Sequence, residues 1–465
     1  MKGDFDVVVV GARCAGSPLA ALLARAGLKV CVVDRARFPS EVPSTHMLHP
    51  AGVAILERLG VLDKMLATGA PPLERGSFQF DDIRIEGGPE VLGGFGAPWL
   101  CVRRVTLDSL LVGMAEESGA QVLTQTKVVG LIADSGVVRG VRTEAGSLKA
   151  ALVVGADGPR SAVARFTGAR EYHVTHPGRF ASWAYFEGVA EPHARARLGK
   201  VGDTGFLAMP TDDGLFMAGV GLSMSMLPAY MADTDRGLTE GLRQIDELSG
   251  VLGSARRVGP IRVMSRWRGY FREAAGPGWA LVGDAGHFKD FTPAQGMSDA
   301  LRQAERLASS IEAGLGRGHL ADRLDAWWKW RDDDAWEMYW FANQIGASGP
   351  NPRMANEMIR GLSQEPGGAE KFLRVLNHDV APSTVFSNRR GLRTLIQAGR
   401  AHPRQLPRLV SETGSLMREE ARQRRLRRRP IFETSPADPS DQAATDGTGR
   451  SMHGTPPGDR RAELG

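Results

Sequence analysis

Four consecutive apolar residues, Val7 to Val10, open the chain's hydrophobic pattern and read as a strand buried on both faces of a parallel sheet. Gly11 and Gly16 make a turn, and apolar positions at helical spacing follow from Pro18 to Ala26, with Pro18 suited to a first helical turn. Gly27 closes that helix, and Lys29 to Val33 form a second apolar strand ending at Asp34. The pattern continues with a helix over Gly52–Leu66 whose Val53, Leu56, Leu59 and Leu62 share a face. A strand from Phe78 to Ile85 turns at Gly87-Gly88, with a further short strand around Val91. Val105–Gly119 reads as a helix with Leu107, Leu110, Leu111 and Met114 inward, and Val122–Ile132 with Val137–Thr143 as a hairpin. Ala151–Val154 is a third buried strand, running into GADGPRS.

From about Arg170 to Tyr270 the period changes to that of an antiparallel sheet. Phe180–Phe186 and Gly205–Met209 read as strands, Asp213-Gly214 as a turn and Leu215–Leu222 as the return strand. A helix near Thr239–Leu248 and a strand at Ile261–Trp267 complete this unit, and Trp279–Val282 is again a buried parallel-type strand. Helices dominate afterwards, including a Trp-rich one whose aromatics suit core packing better than a cofactor box. Beyond Pro430 the apolar content vanishes and disorder is expected.

Composition narrows the class. With 465 residues the chain needs two or three folded units, and a mean hydropathy of −0.21 is ordinary for a soluble protein. The pI near 9.2 suggests nucleic acid, but the charge is local: Arg418 to Arg429 holds seven Arg and two Glu, a balance of +5 equal to the formal net charge. That run reads first as a solvated basic helix, with contact to acidic lipid or nucleic acid ranked below it, so no nucleic-acid partner is expected. Cys14, Cys31 and Cys101 show neither a disulfide framework nor metal spacing. Cys14 lies where a helix N-terminus lowers a thiol pKa, although close packing explains it more simply. Neither a signal peptide nor a membrane span is expected, and a cytoplasmic location follows as the default.

The opening strand–turn–helix–strand is a dinucleotide-binding pattern, because from position 11 to position 34 the interval is 23, close to the spacing of a ribose-gripping acid. One position departs: Arg13 stands where the second glycine belongs, and either swings away or adds a cation beside the phosphates. Two further segments join it, Gly155-Ala156-Asp157-Gly158-Pro159-Arg160-Ser161 and Gly283-Asp284 followed by Pro293, Gly296 and Met297. With all three in this order, the chain resembles the FAD-dependent aromatic hydroxylases, the class A flavoprotein monooxygenases of the para-hydroxybenzoate hydroxylase fold, over most of residues 4–315.

The resemblance implies an α/β fold: a Rossmann-like FAD-binding domain with an inserted antiparallel β-sheet substrate domain and a C-terminal helical region. The boundaries expected are 1–70, 105–170 and 273–315 for the FAD-binding parts, 71–104 and 171–272 for the substrate domain, 316–429 for the helical region and 430–465 for the tail. It implies cofactor contacts at Gly11, Arg13, Ala15, Gly16, Asp34, Arg35, Thr45, His46, Arg104, Val128, Asp157, Gly158, Gly283, Asp284, Pro293, Gly296 and Met297. Asp157 and Asp284 also suit helix caps, and Arg104 a surface ion pair. His46 is the candidate to orient or deprotonate a substrate, given an intrinsic pKa near 6.5. Lys289 is the other catalytic candidate, since the interval from Asp284 to Pro293 is nine and the added residues around His287, Lys289 and Asp290 should crowd the flavin edge. Lys289 equally suits a salt bridge to Asp290 or Asp299.

The activity implied is reduction of FAD by NAD(P)H as a transient donor, capture of molecular oxygen as a flavin hydroperoxide, and transfer of one oxygen atom to a hydrophobic or aromatic small molecule, with an intermediate of secondary metabolism as one such substrate. No second Gly-rich unit offers a stable nicotinamide domain. Alternatives of the same superfamily are a halogenase, whose W-x-W-x-I-P motif is missing, and a geranylgeranyl-reductase-like enzyme. A non-catalytic flavin-binding partner is the reading from another class, and a monomer or homodimer is expected.

Overall fold

The computed structural model describes residues 4–88, 97–191 and 193–433. The expected strand near Val91 and the tail from 434 onward lie outside them. Phe5–Val10 is paired in parallel on both sides, with Val30–Val33 and with Gly146–Gly155, so Val7–Val10 has no polar face to present. Trp279–Leu281 joins beside Gly146–Gly155, and Gln121–Leu123 beside Val30–Val33, both in parallel. The carboxyl ends of these five strands therefore share one rim, the edge at which open α/β sheets bind ligands.

Alternation decides what covers each face. Val7, Val9, Val30 and Val32 pack with Leu19 and Leu23 of the helix Gly16–Arg25, Leu107 and Leu111 of Arg104–Glu117, and Leu301 and Leu307 of Gly296–Gly314. Val8, Val10, Cys31 and Val33 face the other way, onto Val128, Val138, Val141 and Val163. The expected hairpin is divided by this arrangement. Gln121–Leu123 enters the parallel sheet, the chain turns at Gln125 (φ 52°), and only Val128–Asp134 pairs with Val137–Thr143. The expected helix Gly52–Leu66 is likewise two, Pro50–Arg58 and Leu62–Leu66, because Gly60 takes a φ of 75° between them.

The second sheet has seven strands in the order Arg256–Met264, Arg179–Glu187, Phe216–Ser223, Thr204–Pro210, Arg195–Val201, Arg75–Phe80 and Ile83–Gly87. It is antiparallel except where Arg195–Val201 runs parallel to Arg75–Phe80. Arg195–Val201 escapes a hydropathy reading because Arg195, Arg197 and Lys200 break its apolar pattern. The single strand expected at Phe78–Ile85 is a hairpin that turns at Asp81 (φ 53°). The helix expected at Thr239–Leu248 is two, Thr234–Arg243 and Asp246–Val251. Phe180 and Ala184 pack under these helices, whereas Trp183 and Tyr185 point to the opposite face, toward Met47 and Trp99.

Helices Leu320–Ile345, Arg353–Ser363, Gly368–Leu376, Asn388–Ala401 and Leu406–Arg428 follow. Trp327, Trp336 and Trp340 of the first are buried, in keeping with core packing. Past Pro430 the chain is still paired, Phe432–Glu433 lying against Glu171 and Tyr172.

Candidate active site

The three glycine-bearing segments meet at the rim of the parallel sheet. Gly11 has a φ of 104°, and a Cβ there would stand 2.4 Å from the Ala156 carbonyl oxygen; one on Gly16 would stand 1.8 Å from the Gly11 oxygen. A Cβ on Gly283 would touch that of Ala15 at 3.0 Å, which brings the third segment onto the first. Asp34 closes the turn with both carboxylate oxygens, Oδ2 accepting from the Ala12 amide (2.8 Å) and Oδ1 from the Ala36 amide (2.7 Å). Arg35 is exposed beside it, and Val128 is buried in the core beneath the rim.

Arg13 swings to a carboxylate that the sequence pattern hides. Its Nη1 lies 2.5 Å from Asp108 Oδ2, its Nη2 donates to Ser40 Oγ (2.9 Å), and its guanidinium sits 5.2 Å from the Phe38 ring centroid. Arg104 holds the other oxygen of Asp108 through Nη2 (2.9 Å) and Nε (3.0 Å). Asp108 is fully buried; its signal in the sequence is a lone charge between Leu107 and Leu111 on an apolar face. Two guanidiniums on one carboxylate leave a surplus positive charge. The Cys14 thiol beside them is pushed up to about 12 by burial, so it is an inert donor to Asp108 (3.6 Å) and not an activated thiolate. The carboxylate of Asp284 accepts no hydrogen bond from the described residues, and burial raises it to about 6 against the pull of Arg104.

Ser161 caps the helix Ala162–Thr167, its hydroxyl accepting from the Ala164 amide (3.0 Å), and Asp157 braces that start by accepting from Ser161 Oγ (2.5 Å) and the Ala162 amide (2.6 Å). Gly158, with a φ of 77°, has open space where a Cβ would stand. The loop after the second strand is laced to the start of Gly296–Gly314. His49 Nε2 lies 2.9 Å from the Pro293 oxygen, the His49 amide donates to Ser298 Oγ (3.0 Å), and Ser44 Oγ lies 3.7 Å from the Met297 sulfur. Thr45 is half-buried in that loop and His46 fully buried.

Lys289 forms its salt bridge with Asp299, 2.5 Å away. Asp290 turns instead to the Thr292 amide (2.9 Å) and hydroxyl (2.6 Å). The added residues touch the helix Leu320–Ile345 and the residue just after it: His287 packs 4.5 Å from Phe271 and 5.8 Å from Tyr339, and a Cβ on Gly346 would stand 2.2 Å from Asp290 Oδ2. Burial pushes His46 down to about 3, helped by the charges of Arg104 and Arg103, so the intrinsic value near 6.5 does not apply there.

Between the His46 loop and the second sheet lies a narrow cleft of about 90 Å³. Tyr185 Oη lies 2.6 Å from His46 Nε2, with the two rings stacked at 5.8 Å, and Trp183 meets His46 edge-on at 6.2 Å. Arg103 sits 5.9 Å from the Tyr185 ring and is fixed by Asp212, which accepts from its Nη2 (2.9 Å) and its backbone amide (2.8 Å). Burial works against the charge on Asp212, yet hydrogen bonds from Arg103 and Thr106 hold its carboxyl below the usual range. An ion pair between Glu41 and Arg262, both partly exposed, spans the cleft's lining. Trp183 and Tyr185 lie in the apolar strand expected at Phe180–Phe186, whose aromatic side chains point in the sequence to a hydrophobic or aromatic substrate, whereas no motif marks Arg103, Asp108 or Asp212.

Residues 4–342 match the family model described as FAD binding domain. The chain is 30% identical over 343 residues to 6-methylpretetramide 4-monooxygenase of Streptomyces rimosus, covering 69% of this chain and 78% of that protein. It is 32% identical over 359 residues to menaquinone reductase of Mycolicibacterium smegmatis, covering 70% and 80%. Among solved structures, a flavoprotein/dehydrogenase from Cytophaga hutchinsonii superposes with a TM-score of 0.70 at 18% identity, over 85% of this chain and all of that one (100%). No described helix is long and apolar enough to cross a membrane.

Proposed function

The chain belongs to the FAD binding domain family, and on that premise we propose that this FAD-dependent oxidoreductase is a monooxygenase that draws on NAD(P)H and molecular oxygen to oxygenate a hydrophobic, aromatic small molecule of secondary metabolism. The residues present fit the cofactor. A bare-backbone turn stands where any Cβ would strike a carbonyl, a surplus guanidinium charge lies beside it, and Asp284 is an acceptor left unengaged at the rim. Gly11, Arg13, Ala15, Gly16 and Arg104 would hold the diphosphate, Asp34 and Arg35 the adenosine ribose, and Asp284 the ribityl hydroxyls. Thr45, His46, Asp157, Gly158, Gly283, Pro293, Gly296 and Met297 line the same rim or its covering loop, whereas Val128 would act only through packing. When bound, FAD supplies the redox and oxygen chemistry.

One observation carries the substrate assignment: the cleft joins aromatic walls from the second sheet, Trp183 and Tyr185, to Arg104 of the rim cluster. Burial raises the Tyr185 phenol well above its ordinary value and holds His46 neutral. With the Tyr185 hydroxyl assigned as donor to His46 Nε2, the imidazole proton stands on Nδ1, which has no partner among the described residues. His46 then orients a substrate oxygen by donating to it rather than by taking its proton. Arg103 contributes positive charge for a phenolate or enolate. Because the cleft is smaller than the ~300 Å³ of ordinary ligand sites, the loop bearing Glu41 swings out to admit a ringed substrate. The exposed Glu41–Arg262 pair resists that motion by less than about 1 kcal/mol.

Lys289 acts in this scheme as a positioning residue, anchoring Asp299 in the first turn of Gly296–Gly314. Tyr185→Phe is expected to lower kcat/KM about tenfold, the worth of one hydrogen bond, with flavin content unchanged; steady-state kinetics check it. Asp34→Ala is expected to weaken FAD binding at least about tenfold, because it frees two backbone amides as well as a ribose contact. Arg13→Gly is expected to change it only modestly, since Arg104 keeps Asp108 paired. Flavin titration of the apoprotein separates the two, and flavin-free Arg13→Gly protein would make that arginine the principal phosphate clamp.

A reductase reading is favoured by one finding, the 32% identity to a menaquinone reductase. Oxidation of NADPH and NADH with a panel of polycyclic phenols, with and without oxygen, decides between them. Substrate-stimulated oxygen consumption and a product heavier by one oxygen atom support the monooxygenase. Turnover that proceeds equally without oxygen would sink it.

A further inference from the structure

We propose that the paired helices Asn388–Ala401 and Leu406–Arg428 form a docking surface for an anionic lipid bilayer, independently of which reaction the active site performs. From position 388 to position 429 there are thirteen Arg and three Glu, a balance of +10 in a chain whose formal net charge is +5. The charge shares its surface with apolar side chains that no described residue covers. Of the eleven exposed large hydrophobic residues among those described, seven lie between 392 and 432; Leu392 is 60% exposed and Met417 58%.

Helical spacing puts the two kinds of residue on one face. In Leu406–Arg428, Val410, Met417 and Arg424 recur every seven residues, with Leu406 and Arg428 four positions before the first and after the last. In Asn388–Ala401, Arg389, Leu392, Ile396 and Arg400 follow at intervals of three and four. The inner faces are already occupied, with Ala398 and Leu409 buried against Met354. Asn388 lines an open cleft of about 460 Å³ together with Met417, Arg424, Arg425 and Arg428, so the outer faces of both helices border one surface. Arg425 and Arg428 have no carboxylate partner among the described residues, nor have Arg389 and Arg400.

A solvated basic helix needs no exposed leucine, isoleucine, valine and methionine at core spacing. Nucleic acid offers phosphates but no apolar layer beneath them, and a second copy of this surface would meet it with like charge. A bilayer of anionic lipids supplies both layers at the depths required, phosphates for the guanidiniums and acyl chains for the apolar side chains between them.

The test uses flavin-loaded full-length protein and sedimentation with vesicles of phosphatidylcholine alone or of equal parts phosphatidylcholine and phosphatidylglycerol. Partition onto the mixed vesicles, and not onto phosphatidylcholine, is expected. The triple variant Arg389→Gln, Arg425→Gln, Arg428→Gln is expected to lose about a hundredfold in partition. Leu392→Gln, Val410→Gln, Met417→Gln together are expected to lose more than about tenfold. Both sets are exposed, and flavin content with the unfolding temperature verifies that each variant folds. Absence of partition, or equal partition onto both vesicles, would overturn the proposal. So would full partition by the apolar-face variant, which means adsorption by charge alone. Preferential capture by duplex DNA that displaces the vesicles would reassign the surface to nucleic acid, and self-association lost in the Met417 variant would reassign it to a second copy.

Discussion

Replacing Gly11 with valine is expected to leave the protein without flavin and to lower its stability by about 2–6 kcal/mol. Two costs add. The backbone at Gly11, with φ at 104°, lies where a β-branched residue is strained by about 1–3 kcal/mol. Its Cβ would also stand 2.4 Å from the Ala156 oxygen and 2.9 Å from the Asp157 Cα, so Phe5–Val10 and Gly146–Gly155 must separate where their loops meet, at about 1–3 kcal/mol more. The atoms displaced are backbone, which no rotamer change relieves. Gly27→Ala is the control: its φ is 85°, but a Cβ there meets nothing within 4 Å, and about 1 kcal/mol is expected. Flavin absorbance of the purified proteins and their urea unfolding midpoints measure both. A Gly11→Val protein that keeps its flavin would show that the turn is not the cofactor's seat.

Acidification below about pH 6 is expected to be the other large effect. Burial pushes His46 down to about 3 and His49 and His173 to about 4, and it holds His287 well below its ordinary value. In the unfolded chain each of the four takes up a proton near pH 6.5. Below that pH the unfolded chain binds more protons than the folded one, so stability falls as pH falls. Four carboxyls work in the opposite sense, because burial raises Asp157 and Asp379 as well as Asp284 and Asp290. Asp284 and Asp290, raised by burial to about 6, are protonated when folded while their unfolded counterparts stay charged down to about pH 4.

The balance between pH 6 and 4 is at most about two protons in favour of the unfolded chain, or up to about 3 kcal/mol per pH unit. Stability should be level above about pH 7 and lost steeply near pH 5. Urea midpoints at successive pH values check this, and equal midpoints at about pH 5 and 7 would refute it. His173→Phe, which removes one of the four histidines away from the cleft, is expected to flatten the slope by about half, since that histidine accounts for about one of the two protons.

Much of the cofactor half is legible in the chain because its information is local. Val7–Val10 has no polar side, Gly11 and Gly16 sit where backbone meets backbone, and Asp34 ends a strand; each is visible within a few residues of itself. The second sheet is less legible. Arg195–Val201 is a central strand written with Arg195, Arg197 and Lys200, and the hairpin at Asp81 depends on one residue in a left-handed conformation. Local hydropathy records neither.

The sequence alone determined the family, the strand–turn–helix–strand seat at its beginning, and the three segments that converge on it, since these rest on spacing and on glycine stereochemistry. Only the tertiary structure decided how the charges are spent. Asp108 lies 95 positions from Arg13 and lends it a partner, Lys289 is committed to Asp299, and burial keeps His46 neutral beside Tyr185, 139 positions away. A side chain's charge state and partner depend on what surrounds it after folding, and desolvation acts through every atom packed around a group whatever its place in the chain. The seat could therefore be read from position, whereas the roles of Arg13, Lys289 and His46 had to wait for their neighbours.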